Sequence, residues 1–262
     1  ITPRTSAIMG VHVFGRPCDT DALAALAERH GLHLLFDAAH AFGCTHGGRP
    51  VGAFGDAEVF SFHATKFINA FEGGAVTTDD DALAERLRLL RNFGFVDYDT
   101  VIGVGTNGKM SEMSAAMGLT SLEAMDSIMA HNYANYQRYK HQLRNLEGLT
   151  LLAYDEDEKR NYQYIIVDVE AETYGLTRDQ LLKILHAENV LARRYFYPGC
   201  HRMAPYGAIG AGDGALPYTE AMCDRVLALP TGTGVSLDKI DGVGSLLRFV
   251  GENSSRVGKR LG

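Results

Sequence analysis

Long apolar runs, basic clusters and closely spaced cysteines are all missing from this chain of 262 residues. No run approaches the roughly 20 apolar residues that span a bilayer, and no charged-then-apolar leader opens the sequence. We therefore expect a cytoplasmic protein with no membrane segment. Lysine and arginine are scattered, and the formal net charge is −7. Because nucleic-acid-binding surfaces are normally basic, we also expect no DNA or RNA partner.

The cysteines are far apart and form no C-x-x-C pair; they are Cys18, Cys44, Cys200 and Cys223. Their number permits two disulfides, but a chain of this size can build a core without such staples, so we expect reduced thiols. His40, Cys44 and His46 are metal-ligand types that lie close together in sequence. A second pair of Cys or His ligands, which a zinc site normally has, is missing from this loop, and we expect no metal site.

The composition that is present is that of a globular protein, with 46% hydrophobic and 22% charged residues. Residues 7–14 predict a strand, a helix follows to His30, and residues 33–36 predict a second strand that ends at Asp37. Strand, helix and strand within about 30 residues indicate a βαβ unit and a parallel sheet. Ligands bind beyond the carboxyl ends of such strands, and Asp37 stands at one of them.

The rest of the chain indicates two domains. Further strands are predicted over residues 58–62, 75–78 and 162–169, and helices over residues 81–92, 111–146 and 181–187. The last of these helices is preceded by Thr177-Arg-Asp-Gln180, a capping box. The pattern changes near residue 145, which predicts a large domain over residues 1–145 and a smaller C-terminal α+β domain over residues 146–262.

Three residue types fit the needs of a pyridoxal-phosphate (PLP) site. Lys66 lies among apolar and aromatic residues, a setting that lowers the pKa of an amine and makes it reactive. The ring nitrogen of PLP needs a carboxylate partner, and Asp37 suits that role. The phosphate needs hydroxyl and amide donors, and Ser61 precedes the lysine by five residues.

A glycine-rich segment suggests a different cofactor when it is taken alone. Residues 103–108 (GVGTNG) satisfy the G-x-G-x-x-G pattern of dinucleotide-binding proteins. The segment before it is at best a short strand, and the helix predicted after it is too long for a crossover. We therefore expect no NAD site.

Ordered motifs along the chain resemble the DegT/DnrJ/StrS family of PLP-dependent nucleotide-sugar aminotransferases, of the 4-keto-6-deoxysugar type. They are DAAHAFG (37–43), FSFHATK (60–66), EGGA (72–75), GTNGKMSE (105–112) and YFYP (195–198). By this resemblance Lys66 forms the Schiff base with PLP and later moves a proton. Asp37 pairs with the ring nitrogen, His40 lies near the phenolic oxygen, and Ser61 binds the phosphate.

The resemblance also extends to a second subunit and to the substrates. Asn107 is expected to reach the phosphate of the neighbouring subunit, which implies a homodimer with shared active sites. Lys109 occupies a place where relatives often carry arginine, and it is expected to hold the carboxylate of the amino donor as a point charge rather than as a bidentate fork. His201 is a further candidate for substrate binding.

The fold that the resemblance implies is α/β and aspartate-aminotransferase-like (fold type I). It has a large α/β domain with a mixed, mostly parallel sheet, and a smaller C-terminal α+β domain. Roughly another hundred residues of the large domain are expected to precede this chain. The expected function is amino transfer from glutamate to a keto group of a nucleotide-linked deoxysugar. The alternatives are a PLP-dependent dehydratase, against which Lys66 argues, and a non-catalytic fragment or binding protein of this fold.

Overall fold

The structure, a computed structural model, describes residues 1–208 and 216–261. These residues form two compact units. The first comprises Ile1–Met129 and Tyr154–Gln163, and the second comprises residues 130–153 with the described residues from 164 onward. The domain boundary that the sequence suggests near residue 145 stays a prediction.

The first unit is built on a mixed sheet with the strand order β1-β2-β5-β6. Its strands are β1 (Ala7–Val11), β2 (His33–Asp37), β3 (Thr45–His46), β4 (Arg49–Pro50), β5 (Ala57–Ser61) and β6 (Gly74–Thr77). β1, β2 and β5 run parallel, and β6 is antiparallel to β5. The short strands β3 and β4 pair with each other in a hairpin. The predicted mixed, mostly parallel sheet is confirmed.

Helix α1 (Thr20–His30) makes the crossover from β1 to β2, as the sequence pattern predicts. Asp19 caps its start, because the carboxylate accepts a 3.0 Å hydrogen bond from the N–H of Ala22. Gly31 ends it with φ at +61°, a conformation that side chains disfavour. The buried side chains of Leu34 and Phe36 then anchor β2 in the core, while Asp37 ends the strand.

Three longer helices complete the middle of the chain: α2 (Asp81–Arg91), α3 (Glu112–Glu123) and α4 (Met125–Leu143). The single helix predicted over residues 111–146 is wrong, because the chain breaks between α3 and α4 at Ala124. The ψ angle of Ala124 is −1°, and its N–H bonds to the carbonyls of Leu122 and Thr120 in a tightened last turn. The sequence around Ala124 contains neither proline nor glycine, the residues that usually mark a break in a helix. The apolar periodicity continues across this position and therefore predicts one helix instead of two.

The second unit contains an antiparallel sheet with the order β7-β8-β9 and helices after it. Its strands are β7 (Leu149–Leu151), β8 (Ile165–Val169) and β9 (Val226–Leu229), and its further helices are α5 (Ala171–Tyr174), α6 (Arg178–Ala187), α7 (Pro217–Arg225), α8 (Leu237–Glu252) and α9 (Ser254–Leu261). The capping box between Thr177 and Gln180 is present at the start of α6. No helix in the described residues is both long enough and apolar enough to cross a membrane.

Candidate active site

Asp37 is held at the carboxyl edge of the first unit's sheet, at the end of β2. It lies in register between Val11 of β1 and Val59 of β5. Its Oδ1 accepts a 2.9 Å hydrogen bond from the N–H of Ala39, and its carbonyl accepts one of 2.9 Å from the N–H of His12. The chain on both sides is thus fixed, and the carboxylate stays at the edge where parallel sheets bind ligands.

Lys66 lies in the turn that follows β5, at the same edge of the sheet. Its N–H donates a 2.8 Å hydrogen bond to the carbonyl of His63, which closes the turn. The side chain is half-buried. Burial lowers the pKa of the Lys66 ammonium, and the negative charge of Asp37 opposes that effect. The lysine therefore carries a neutral, reactive amine more often than a solvated lysine does.

His40 belongs to the same group of interacting charges. Its pKa is lowered to about 4, first by burial and then by the positive charge of Lys66, while Asp37 acts in the opposite direction. Its Nδ1 accepts a 3.1 Å hydrogen bond from the N–H of Phe14. The structure thus brings Asp37, His40 and Lys66 together, with a neutral imidazole beside an amine and a carboxylate.

Ser61 ends β5 and pairs with Gly74 of β6. Its hydroxyl oxygen accepts a 3.4 Å hydrogen bond from the N–H of His63, in the turn that leads to Lys66. The serine is half-buried at the carboxyl end of its strand. That position is suited to a phosphate contact, and the contact itself stays a prediction.

Asn107 and Lys109 lie in an exposed turn against the end of α2. Asn107 forms an isolated bridge with Asn92. The Nζ of Lys109 donates a 3.0 Å hydrogen bond to Oδ1 of Asn92 and lies 4.4 Å from the ring centroid of Phe93. These contacts hold the turn but do not test the roles predicted for the two residues toward a second subunit and an amino donor.

His201 is in the second unit, in the 3-10 turn Cys200–Arg202. Its Nε2 lies 3.3 Å from one carboxylate oxygen of Glu220 in α7, and the other oxygen of Glu220 lies 3.0 Å from Arg202. Only 8% of the His201 side chain is exposed. The structure therefore places this histidine beside the ion pair of Arg202 and Glu220, which fastens the turn to α7, and its substrate contact stays a prediction.

A buried hydrogen-bonded pair of side chains supports the carboxyl edge of the sheet. The ring of His12 and the carboxylate of Glu58 are fully buried and lie 3.0 Å apart. The second oxygen of Glu58 accepts hydrogen bonds from the N–H of Gly52 and, at 2.9 Å, from that of Phe54. The pair thus ties the loop before β5 to the end of β1.

The segment Tyr154–Gln163 belongs to the first unit, although it follows β7 in sequence. Two of its side chains reach the candidate site. The Asn161 amide donates to the carbonyl of His40 at 2.8 Å, and the Gln163 amide donates to the carbonyl of Thr65 at 3.0 Å. Sequence reasoning missed both, because a polar residue before a strand does not reveal a partner about a hundred positions away.

These residues fit PLP by the chemistry of their groups. An amine of lowered pKa, a carboxylate, a neutral imidazole and a hydroxyl lie at the carboxyl ends of the parallel strands β2 and β5. In the described residues, no group of three or more His, Cys, Asp or Glu side chains is arranged to hold a metal ion. The set matches a cofactor that needs an amine anchor and a counter-charge for a ring nitrogen.

The chain is similar in sequence and structure to several known proteins. A sequence model of the DegT/DnrJ/EryC1/StrS aminotransferase family matches residues 1–248. The dTDP-4-amino-4,6-dideoxy-D-glucose transaminase of Shigella dysenteriae is 37% identical over 250 residues, which cover 95% of this chain and 68% of the relative. The GDP-perosamine synthase of Caulobacter vibrioides is 37% identical over 93% of this chain and 65% of its own length.

The chain is also similar to a solved structure. DesI, crystallised in the presence of its TDP-sugar product, is 50% identical and superposes with a TM-score of 0.93 over 99% of this chain and 66% of that one. The chain thus spans about two thirds of the length of the proteins it matches.

Proposed function

This chain belongs to the DegT/DnrJ/EryC1/StrS aminotransferase family, and from that membership we propose that it forms the larger part of a PLP-dependent aminotransferase. The enzyme moves an amino group from glutamate to a keto group of a nucleotide-linked deoxysugar. The observation that carries the proposal is the electrostatic group of Lys66, Asp37 and His40 at the carboxyl edge of the sheet.

Each residue of this group has a definite task toward the cofactor. Lys66 holds PLP and moves a proton to and from the substrate carbon, for which its lowered pKa is suited. Asp37 keeps the ring nitrogen of PLP protonated. His40 contacts the phenolic oxygen, and the nearby Ser61 contacts the phosphate. When bound, PLP supplies an electron sink that stabilises negative charge on the substrate carbon.

The substrate class is supported by the names of the relatives. One is a transaminase that acts on a dTDP-linked dideoxyglucose, and another is a GDP-perosamine synthase. The two share an amino-deoxysugar on a nucleotide but differ in the base. We therefore propose a nucleotide-linked keto-deoxysugar without choosing the base. Lys109 is the candidate for the glutamate carboxylate, as a point charge on an exposed turn.

The homodimer is part of the same proposal. Helix α3 exposes Met113 (74%) and Leu119 (63%), and the turn before it exposes Ile102 (63%) and Val104 (94%). We propose that a second copy of this chain covers these side chains, because exposed apolar patches mark protein interfaces. They flank Asn107, which would then lie within reach of a second subunit's site.

Borohydride trapping tests the proposal directly. The protein is mixed with PLP, reduced with borohydride and digested, and the mass of each lysine peptide is measured. We expect one modified peptide, which contains Lys66, and its loss in Lys66→Ala but not in the control Lys183→Ala, a surface change on α6. PLP bound without a lysine link would indicate the dehydratase, and no bound PLP would indicate a non-catalytic fragment.

A further inference from the structure

Phe14 adopts a backbone conformation that phenylalanine normally avoids. Its φ and ψ angles are 58° and 21°, in the left-handed region, inside the 3-10 turn that follows β1. Residues other than glycine rarely adopt this conformation, because the side chain crowds the backbone. The surrounding structure must therefore hold it.

Both backbone polar groups of Phe14 are bonded to side chains. The hydroxyl of Tyr154 donates a buried 2.8 Å hydrogen bond to the carbonyl of Phe14. The N–H of Phe14 donates to Nδ1 of His40 at 3.1 Å. One strained residue thus connects a tyrosine that lies 140 positions away in sequence to the imidazole of the candidate site.

This connection decides which ring nitrogen of His40 carries the proton. A backbone N–H can only donate, so Nδ1 must accept and cannot be protonated. Burial keeps the pKa of His40 at about 4, so the ring is neutral at physiological pH and its single proton is on Nε2. Lys66 and Asp37 are the charged groups that act on the ring, in opposite directions.

A second contact fixes the backbone of His40. The side-chain amide of Asn161, which is fully buried, donates to the carbonyl of His40 at 2.8 Å and to that of Phe42 at 3.1 Å. Glycine is needed at position 15 for this packing, because a Cβ on Gly15 would lie 2.8 Å from Oδ1 of Asn161. His40 is therefore held both at its imidazole ring, by the N–H of Phe14, and at its backbone carbonyl, by Asn161.

We propose that Tyr154 and Asn161 are positioning residues that hold His40 as a hydrogen-bond donor through Nε2 toward an anionic oxygen in the site. Tyr154 acts through the strained peptide of Phe14, and Asn161 acts through the carbonyl of His40. The identity of that oxygen, the phenolic oxygen of PLP, rests on the proposed function. The tautomer does not, because it follows from contacts within the protein.

Nitrogen-15 NMR of histidine-labelled protein, without cofactor, tests the proposal. In the parent, we expect the His40 Nδ1 signal of an unprotonated nitrogen and the Nε2 signal of a protonated one. In Tyr154→Phe, the released Phe14 peptide no longer favours one tautomer. The two signals should then move toward each other, and the pKa of His40 should rise by about one unit.

A matched control separates positioning from general stability. Tyr174→Phe removes a buried hydroxyl that donates an equivalent 2.8 Å hydrogen bond to the carbonyl of Leu247 in the second unit. Both changes remove one buried hydrogen bond and should lower the urea midpoint of unfolding to a similar extent, but only Tyr154→Phe should move the His40 signals. Equal His40 spectra in the two variants would overturn the role of Tyr154.

Asn161→Ala is paired in the same way with Asn135→Ala. Asn135 is also fully buried, and its amide donates at 3.3 Å to Thr231 and to the carbonyl of Gly232 in the second unit. We expect a tautomer change only in Asn161→Ala, and unchanged His40 signals there would overturn the role of Asn161.

The parent spectrum is decisive even if a variant fails to fold. A proton on Nδ1 of His40 overturns the proposal without any substitution. If the tautomer is as expected but PLP does not bind, the proposed function fails while this inference stands.

Discussion

Asp37 and Lys66 act on each other across the carboxyl edge of the sheet, where the carboxylate raises the pKa of an ammonium that burial lowers. β2 and β5 are parallel neighbours, so the segments that follow them emerge on the same side. The amine is thus kept reactive by burial while a fixed counter-charge remains beside it.

Asp37→Asn should leave PLP bound and slow the chemistry severely. The amide has nearly the shape of the carboxylate, but it cannot stabilise a protonated ring nitrogen. Loss of the negative charge should also lower the pKa of Lys66 further. Single-turnover half-transamination with glutamate measures the effect, with Asp21→Asn on the exposed start of α1 as the control. A rate within about threefold of the parent, under ~1 kcal/mol of barrier, would contradict the assigned role.

His40 should make the protein less stable as the pH falls below neutrality. Its pKa is lowered from 6.5 to about 4 by folding, so between these values the unfolded chain binds the proton and the folded chain does not. The contribution of His40 is therefore present above pH 6.5 and is lost progressively as the pH falls toward 4. Its full size is about 3 kcal/mol.

His40→Gln isolates this effect, because glutamine does not titrate. Urea unfolding of parent and variant should be compared at several pH values between about 4 and 7. The unfolding free energy of the parent minus that of the variant should increase as the pH rises. A difference that is constant across this range would mean that His40 does not stay neutral in the folded protein.

The buried pair of His12 and Glu58 predicts a stability effect remote from the chemistry. Glu58 uses both carboxylate oxygens, toward His12 and toward the N–H groups of Gly52 and Phe54. In Glu58→Gln, an NH₂ group must replace one oxygen and face a donor, which leaves buried groups unpaired. We expect a loss of about 3 kcal/mol in the free energy of unfolding.

Glu85→Gln is the control for this change, since Glu85 lies on the exposed face of α2. It should alter the free energy of unfolding by under about 0.5 kcal/mol. A similarly small effect for Glu58→Gln would mean that the carboxylate is not needed in the core.

The sequence predicts the parts of this structure that depend on neighbours in the chain. Apolar periodicity and caps predict the βαβ unit. The motifs predict that Asp37, His40 and Lys66 act together, because Asp37 ends β2, His40 follows it, and Lys66 follows the neighbouring strand β5. The break at Ala124 was not predictable from that pattern. No proline or glycine stands at this position to mark the end of a helix in the sequence.

The features that the sequence does not predict depend on contacts between distant segments of the chain. Nothing near Phe14 indicates a positive φ, since the hydroxyl that stabilises it belongs to Tyr154. Asn161 lies 121 positions from the carbonyl it binds. Such pairs become visible only when the segment after β7 is placed on the first unit.

The last prediction concerns assembly. Asn107 lies in an exposed turn before α3, whose Met113 and Leu119 are also exposed. If a second subunit covers this surface, each site is built from two chains. Lys66→Ala and Asn107→Asp, which puts a negative charge against a phosphate, should then each inactivate the homodimer but damage opposite sides of the site. A mixed dimer would hold one site with both lesions and one with neither, so refolded mixtures should regain activity. If mass measurements confirm mixed dimers and activity does not exceed that of the two homodimers, Asn107 is an ordinary turn residue.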